Sequence, residues 1–594
     1  MISHRGTRLF GAVVFFAIFL LILSSTPSTP PSLRNVTNKA GAYVPNNLPK
    51  LSDLPNLPNI DSFRLPFHTP THKPPEQKNS TSGESKWYSD WKWLNPFSSS
   101  VTLDENRSVL PPLPPRPSVF TYYNLAGKQK GEAEADRQLL LTWRRAWWAK
   151  GFRPVVLGPA EAENNGIYQA VKAKGLSPEL EMDFMKWLAW GSVDSGILAD
   201  WQLFPMADYD DKLITSLRRG TDPQFITRLE NMGAVLFSGE RGRVNDAIKA
   251  ALDRNNLKDA RSIVDVVPDD FFRVVEKPKS FANYDLNTVI ARYAPIAEKI
   301  NENPAVGKLA LVDLINLHLQ ITFQNTFSSG ISVMKPFPEN TTVLVNPGVK
   351  LAKLITQCAP AMLQTSCPPN NPSCIPCTRK NSLRIIHPGG YINNSAVYTI
   401  GILPHPYTLL SVNKGSDNVT LPYIRRESTR DNWLVESTKN LLGNRLDGSS
   451  RVVPFKSIVA GDFGMSRSLW FTVESFPTNP KDTALPPEII DDLDWHFGFR
   501  IPRETPHGKD ESQKPLMDDF PGGDEEKIKA EFELIGKARE VLKGERPEDK
   551  SIREISEAWN LADTEAWRFV RAFRARSVVE RKKWEEEEKA FVGS

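Results

Sequence analysis

Hydrophobic residues recur in two alternating rhythms between residues 118 and 252. Val119-Phe120-Thr121-Tyr122-Tyr123 is a strand-like run, and helical spacing follows over 134–150, where Trp143, Trp147 and Trp148 fall on overlapping faces. Residues 152–157 predict a second strand and 161–174 a second helix. Met182 to Trp190 then reads as a short amphipathic helix, Ser195-Gly196 as a turn, and 197–206 as an apolar strand interrupted by Asp200. A further strand at 234–238 and helix at 243–252 continue the alternation. This order predicts an α/β fold, a mainly parallel sheet with covering helices. Residues 309–321 read as a core helix and 342–345 as a short strand. Past Cys377 the pattern turns β-rich, with candidate strands over 383–386, 396–402 and 407–412. From about 521 onward Glu, Lys and Arg dominate, and 526–543, 551–559 and 564–591 predict charged helices with Trp, Phe and Leu on one face. These form a helical appendage, 521–594, suited to a bundle or to a protein partner.

Composition adds segments in front of this domain. Residues 9–23 are apolar apart from Gly11 and follow His4, Arg5 and Arg8, the pattern of a signal peptide or a short signal anchor. Seventeen of the chain's 48 prolines lie between Ser24 and Pro117 without sustained periodicity, as in an extended stem. The expected order is a cytoplasmic tail at 1–8, an anchor at 9–23, a luminal stem at 24–117, a luminal domain at 118–520 and the charged helices at 521–594. Within the stem, the aromatic run over 87–94 reads as a strap that docks on the folded domain or touches the membrane surface. Sequons at Asn35, Asn79, Asn106, Asn340, Asn393 and Asn418 agree with a lumen. Cys358, Cys367, Cys374 and Cys377 fall within one Pro/Asn-rich loop, which reads as two local disulfides of three possible connectivities or as a four-thiolate zinc site. A net charge of +4 and no basic stripe with interleaved aromatics exclude nucleic acid as an expected partner.

Candidate chemistry concentrates in one segment. Asp183 and Lys186 stand one turn apart on the predicted helix, and Asp200-Trp201-Gln202 interrupts the apolar strand, with Pro205 shortly after. Asp183 otherwise caps a helix end, and Asp200 closes a strand. Asp208-Tyr209-Asp210-Asp211 supplies a literal Asp-x-Asp in loop-like sequence past Pro205. Asp431-Asn432-Trp433 and Trp495-His496-Phe497-Gly498 put polar groups beside aromatics, as sugar-binding clefts do. Asp462-Phe463-Gly464 stands without the other kinase motifs, and no G-x-S-x-G or H-E-x-x-H is present.

The acid and base on a helix, the Gly turn and the apolar strand ending in an Asp-x-Asp slot resemble the donor-site segment of GT-A nucleotide-sugar glycosyltransferases. The resemblance is to the DXD-type group that includes the fungal Golgi mannosyltransferases, and it covers residues 118–252. It implies a GT-A-like domain in a single-pass type II protein of the Golgi or endoplasmic reticulum membrane. That protein would transfer a hexose from a nucleotide sugar to a glycan or glycoprotein. It assigns Asp200 and Asp183 as catalytic residues and Lys186, Gln202 and His496 to donor binding. Mn²⁺ or Mg²⁺ would neutralise the leaving diphosphate, held by Asp200 with help from Asp208 and Asp210. Gln202 stands where the group has its second aspartate, and an amide is a weaker ligand for a hard cation, so metal use is in question. A non-catalytic luminal protein that binds a glycan or a partner enzyme is the alternative.

Overall fold

The alternation of β and helical spacing does build an α/β fold. Of 594 residues, the computed structural model describes Leu110, most of 115–503 outside 408–454 and some short breaks, scattered positions from 526 to 549, and 561–592. All lie in one structural unit, Phe67–Ser594. The anchor, nearly all of the stem with its 87–94 aromatic run, the strand beyond Tyr407, the Asp431-Asn432-Trp433 group, Asp462-Phe463 and the 551–559 helix fall outside the described residues.

Strand β1 (Ser118–Tyr122) leads into α1 (Lys130–Ala149) and β2 (Arg153–Leu157). The helix expected over 161–174 is two pieces, α2 (Pro159–Glu163) and α3 (Tyr168–Lys172). Between them, the Asn165 side chain donates to Leu188 O at 2.9 Å and accepts from Ile167 N at 3.0 Å, turning the chain. Helix α4 (Pro178–Ser192) opens on the Ser177 cap and feeds β3 (Gly196–Ala199). Then come β4 (Leu203–Pro205), α5 (Lys212–Arg219), β5 (Ile226–Leu229), β6 (Leu236–Gly239), α6 (Arg241–Leu252), β7 (Phe272–Val275) and β8 (Phe281–Asn283).

The first sheet has the order β2-β1-β3-β6-β5-β7. Strand β1 runs parallel to β2 and β3, and β5 parallel to β7, while β6 is antiparallel to both neighbours. Strand side chains alternate between its two faces. Val119 and Ile197 join one core with Trp143 and Trp147, and Phe120 and Leu198 join the other with Trp187 and Phe237. Each buried tryptophan removes roughly 200 Å² from water, worth about 5 kcal/mol before ordering costs.

After α7 (Leu286–Arg292) and α8 (Ala294–Glu302), helix α9 (Pro304–Thr326) contains the expected core helix. It is long and apolar enough to cross a bilayer by composition alone, yet here it packs against α1 and α8 with Leu314, Ile315 and Leu317 buried. A second sheet follows, built from β9 (Gly330–Val333), β10 (Ile385–Ile386), β11 (Val397–Leu403) and β12 (Ser468–Thr472) in the order β10-β9-β11-β12. All its pairings are parallel. Instead of a strand at 342–345 there is helix α10 (Thr342–Thr356), whose Val345, Val349 and Ala352 share a buried stripe. Short α11 (Gly464–Arg467) precedes β12, and α12 (Pro487–Phe497) follows it. The cysteines pair as Cys358–Cys377 and Cys367–Cys374, which settles the loop as disulfide-bonded.

The expected appendage is corrected in its last part. Helix α13 (Leu561–Val592) docks on the fold. Its Trp584 stacks on Trp148 with ring centroids 5.0 Å apart and meets Trp495 edge-on. Glu580 pairs with Arg116 at 3.3 Å, and Arg581 pairs with Asp492. Among the described residues of α13, Trp567, Phe569, Val570 and Trp584 are buried, so this part of the apolar stripe is satisfied within the chain.

Candidate functional site

From β1 the chain moves to β2 on one side and later returns to β3 on the other. The carboxyl ends of β1 and β3 thus form a topological switch point, where open α/β sheets leave a crevice. Asp200 follows β3 at this edge and Tyr123 follows β1. The Asp200 backbone is fixed on both sides, its N–H donating to Val235 O at 2.8 Å and its carbonyl accepting from Leu203 N at 2.9 Å. Its Oδ1 accepts from the Gln202 N–H at 2.9 Å, an Asx turn that redirects the chain into β4. The Gln202 carbonyl accepts from Tyr284 N, tying the turn to the end of β8.

Aromatic rings line this edge. Trp201 meets Tyr123 edge-on at 5.6 Å, and the Lys128 amine lies 4.6 Å from the Tyr123 ring centre and 5.4 Å from that of Trp201. The Tyr123 hydroxyl donates to Asp136, which also holds Lys128 and Lys308. Lys308 reaches Glu132 as well, at 2.7 Å, so two lysines balance two acids. Burial, and then the Asp136 charge, raise the Tyr123 hydroxyl well above its usual value and keep it a donor.

Asp183 and Lys186 serve neighbouring backbone. The Asp183 Oδ2 accepts from Ser262 Oγ and Ile263 N, both at 2.8 Å, capping the turn at Ile263–Asp265. Lys186 Nζ donates to Ala234 O at 3.0 Å, one residue from the carbonyl that holds Asp200 N. Lys186 therefore belongs to the Asp200 edge, while the Asp183 carboxylate is engaged in architecture.

The remaining candidates lie at the opposite edge. Strand β4 carries the chain away from Asp200 toward the end of α1, where Lys150 precedes β2. The length of β1 separates the two edges, about 16 Å at ~3.3 Å per residue. Here Asp208 accepts from Thr326 Oγ1, Asp210 pairs with Arg467 at 2.7 Å, and His496 Nε2 meets the Tyr398 hydroxyl at 2.9 Å. All of them line one cavity of about 330 Å³ that Asp200 and Gln202 do not line. Burial lowers the His496 pKa from 6.5 to about 3, so the ring is neutral. The proposed metal set of Asp200, Asp208 and Asp210 is therefore corrected: the three carboxylates do not converge, because β4 lies between them. His496 likewise does not approach Asp200. Among the described residues no group of three or more His, Cys, Asp or Glu side chains is gathered as a metal would require. One carboxylate and one amide do not fit a divalent-cation cage, so no step through Mn²⁺ or Mg²⁺ is derived.

Sequence reading passed over Tyr123, Lys128 and Asp136, although the loop after a first β-strand is where a switch point gathers residues. Lys150, Tyr398 and Arg467 carried no signal, because only the folded chain brings them to Asp208. No curated protein and no solved structure matches this chain. Residues 81–594 match the family described as "Domain of unknown function (DUF8765)", and the chain belongs to that family.

Proposed function

We propose that the carboxyl edge between β1 and β3 binds a nucleotide sugar, and that the protein is a GT-A-like hexosyltransferase acting on a glycan or glycoprotein. The observation that carries this reading is the position of Asp200-Trp201-Gln202 at the topological switch point beside Tyr123. The Tyr123 and Trp201 rings offer flat surface to a nucleobase, and the second oxygen of Asp200 accepts a ribose or sugar hydroxyl. Lys186, whose amine donates to Ala234 O beside the strand end, brings positive charge near the place of the diphosphate, while Lys128 is balanced by Asp136. Two disulfides suit an oxidising lumen, which is consistent with a type II protein of the Golgi or endoplasmic reticulum membrane. The second reading, a non-catalytic carbohydrate-binding protein, is favoured by Gln202 in the acidic slot and by the capping role of Asp183.

Thermal melting of the purified full chain against a panel of nucleotide sugars, with and without Mn²⁺, tests the proposal. A donor should stabilise the wild type and lose its effect in Asp200→Ala. No shift with any donor would sink the donor-binding proposal and leave the non-catalytic reading.

A further inference from the structure

We propose that the cavity between the amino edges of the two sheets binds a neutral, hydroxyl-rich pyranose unit of a glycan, at a site separate from the Asp200 edge. Its walls are the chain ends at those edges: Lys150 ahead of β2, Phe327 ahead of β9, Ser395 and Ala396 ahead of β11, and Arg467 ahead of β12. The volume of about 330 Å³ lies in the range of small-molecule sites. Asp210 and Ser395 are exposed, which puts the mouth on their side.

Charge decides the class of ligand. Helices α1, α9 and α12 all end at the cavity, and helix carboxyl ends carry partial negative charge. Asp208 and Asp210 add two carboxylates, which oppose an anion such as phosphate. Lys150 and Arg467 oppose a bare cation. Arg467 and Asp210 cancel one another as an ion pair, while the Lys150 amine feels the Asp208 charge without forming an ion pair or hydrogen bond to a described residue. Burial holds the Lys150 amine below its usual value, with Asp208 pulling the other way. With both on the cavity wall, a group that accepts from an ammonium and donates to a carboxylate is suited to the site, and a hydroxyl does both. A sugar repeats that group on successive carbons. Its C–H face fits the aromatic wall, where Phe323 packs against Tyr398 at 5.1 Å and Phe327 at 4.9 Å.

The test is titration of the purified full chain with methyl glycosides of mannose, glucose, galactose and N-acetylglucosamine. Calorimetry and saturation-transfer NMR would follow it, with inorganic phosphate as the contrasting probe. At least one glycoside should bind. Lys150→Met and Asp208→Ala should each weaken it about tenfold or more, the loss expected for a hydrogen bond involving a charged group. Asp200→Ala should leave this binding unchanged. Lys150→Met should not lower the melting temperature, so lost binding cannot be charged to unfolding. Three outcomes would overturn the proposal: no glycoside binds, binding survives both cavity variants, or phosphate binds and competes.

Discussion

The Asp183 carboxylate joins α4 to a turn eighty residues later, accepting from the Ser262 hydroxyl and the Ile263 N–H. Truncation strands both donors, so Asp183→Ala should cost about 1–3 kcal/mol in urea unfolding while a donor-induced shift persists. Asp200→Ala should do the reverse, since among the described residues its side chain accepts only the short-range Gln202 N–H. Equal stability loss in both would reject this division. His318 supplies a pH dependence. Buried in α9, it meets the Tyr284 hydroxyl at Nδ1 and Ser366 Oγ at Nε2, and burial lowers its pKa from 6.5 to about 3. Between those values acid protonates only the unfolded chain. Stability fully present above pH 6.5 is therefore lost as pH falls toward 3, by up to about 1.4 kcal/mol per pH unit. His318→Gln should flatten that slope in denaturation series, whatever it does to stability at neutral pH, and an unchanged slope would refute the assignment. Local sequence marked Asp200 because it interrupts an apolar strand and Asp183 because it stands one turn from Lys186 on an amphipathic helix. It could not tell them apart, because the partners of Asp183 are distant in the chain and those of Asp200 adjacent.

Helix α13 shows how an element can be legible in form and not in placement. Its spacing marks a helix with an aromatic stripe, but nothing local specifies that Trp584 closes a cluster with Trp148 and Trp495. Trp584→Ala should cost about 3–5 kcal/mol by denaturant titration, the range for deleting a large buried ring. A loss under about 1 kcal/mol would mean that the helix is a loosely held appendage after all. Strands β1, β2, β3 and β6 were legible because each apolar run borders a helical segment of clear period. In the second sheet the runs expected over 383–386 and 396–402 became β10 and β11, whereas β9 and β12 gave no clear strand pattern and were missed. The run at 342–345 favours a strand locally through Thr342, Val343 and Val345. Burial of Val345, Val349 and Ala352 along one helical stripe outweighs that preference.

At the scale of the whole molecule, the cysteine loop links the core helix to the Asp200 edge. Cys367 O accepts from the Tyr293 hydroxyl at 2.7 Å, Ser366 meets His318, and Asn370 donates to Phe281 O in β8. Strand β8 pairs with β4, whose first residue directly follows Gln202. The Cys358–Cys377 bridge closes a separation of 19 residues and Cys367–Cys374 one of 7. Chain-entropy arithmetic gives about 3 and about 2 kcal/mol for loops of these lengths, and less than their sum because one is nested in the other. Reduction should therefore lower the melting temperature by a few degrees, whereas a chelator should not, because no zinc joins these sulfurs. Since the loop braces β8, reduction should also weaken any donor-induced stabilisation at Asp200, while Asp200→Ala, acting at the other end of this chain of contacts, leaves the response to reductant intact. A melting temperature that is unchanged after thiol labelling has confirmed reduction would show that the loop carries no strain-free linkage of this kind, and that β4 and β8 hold the turn at Asp200 by their own pairing.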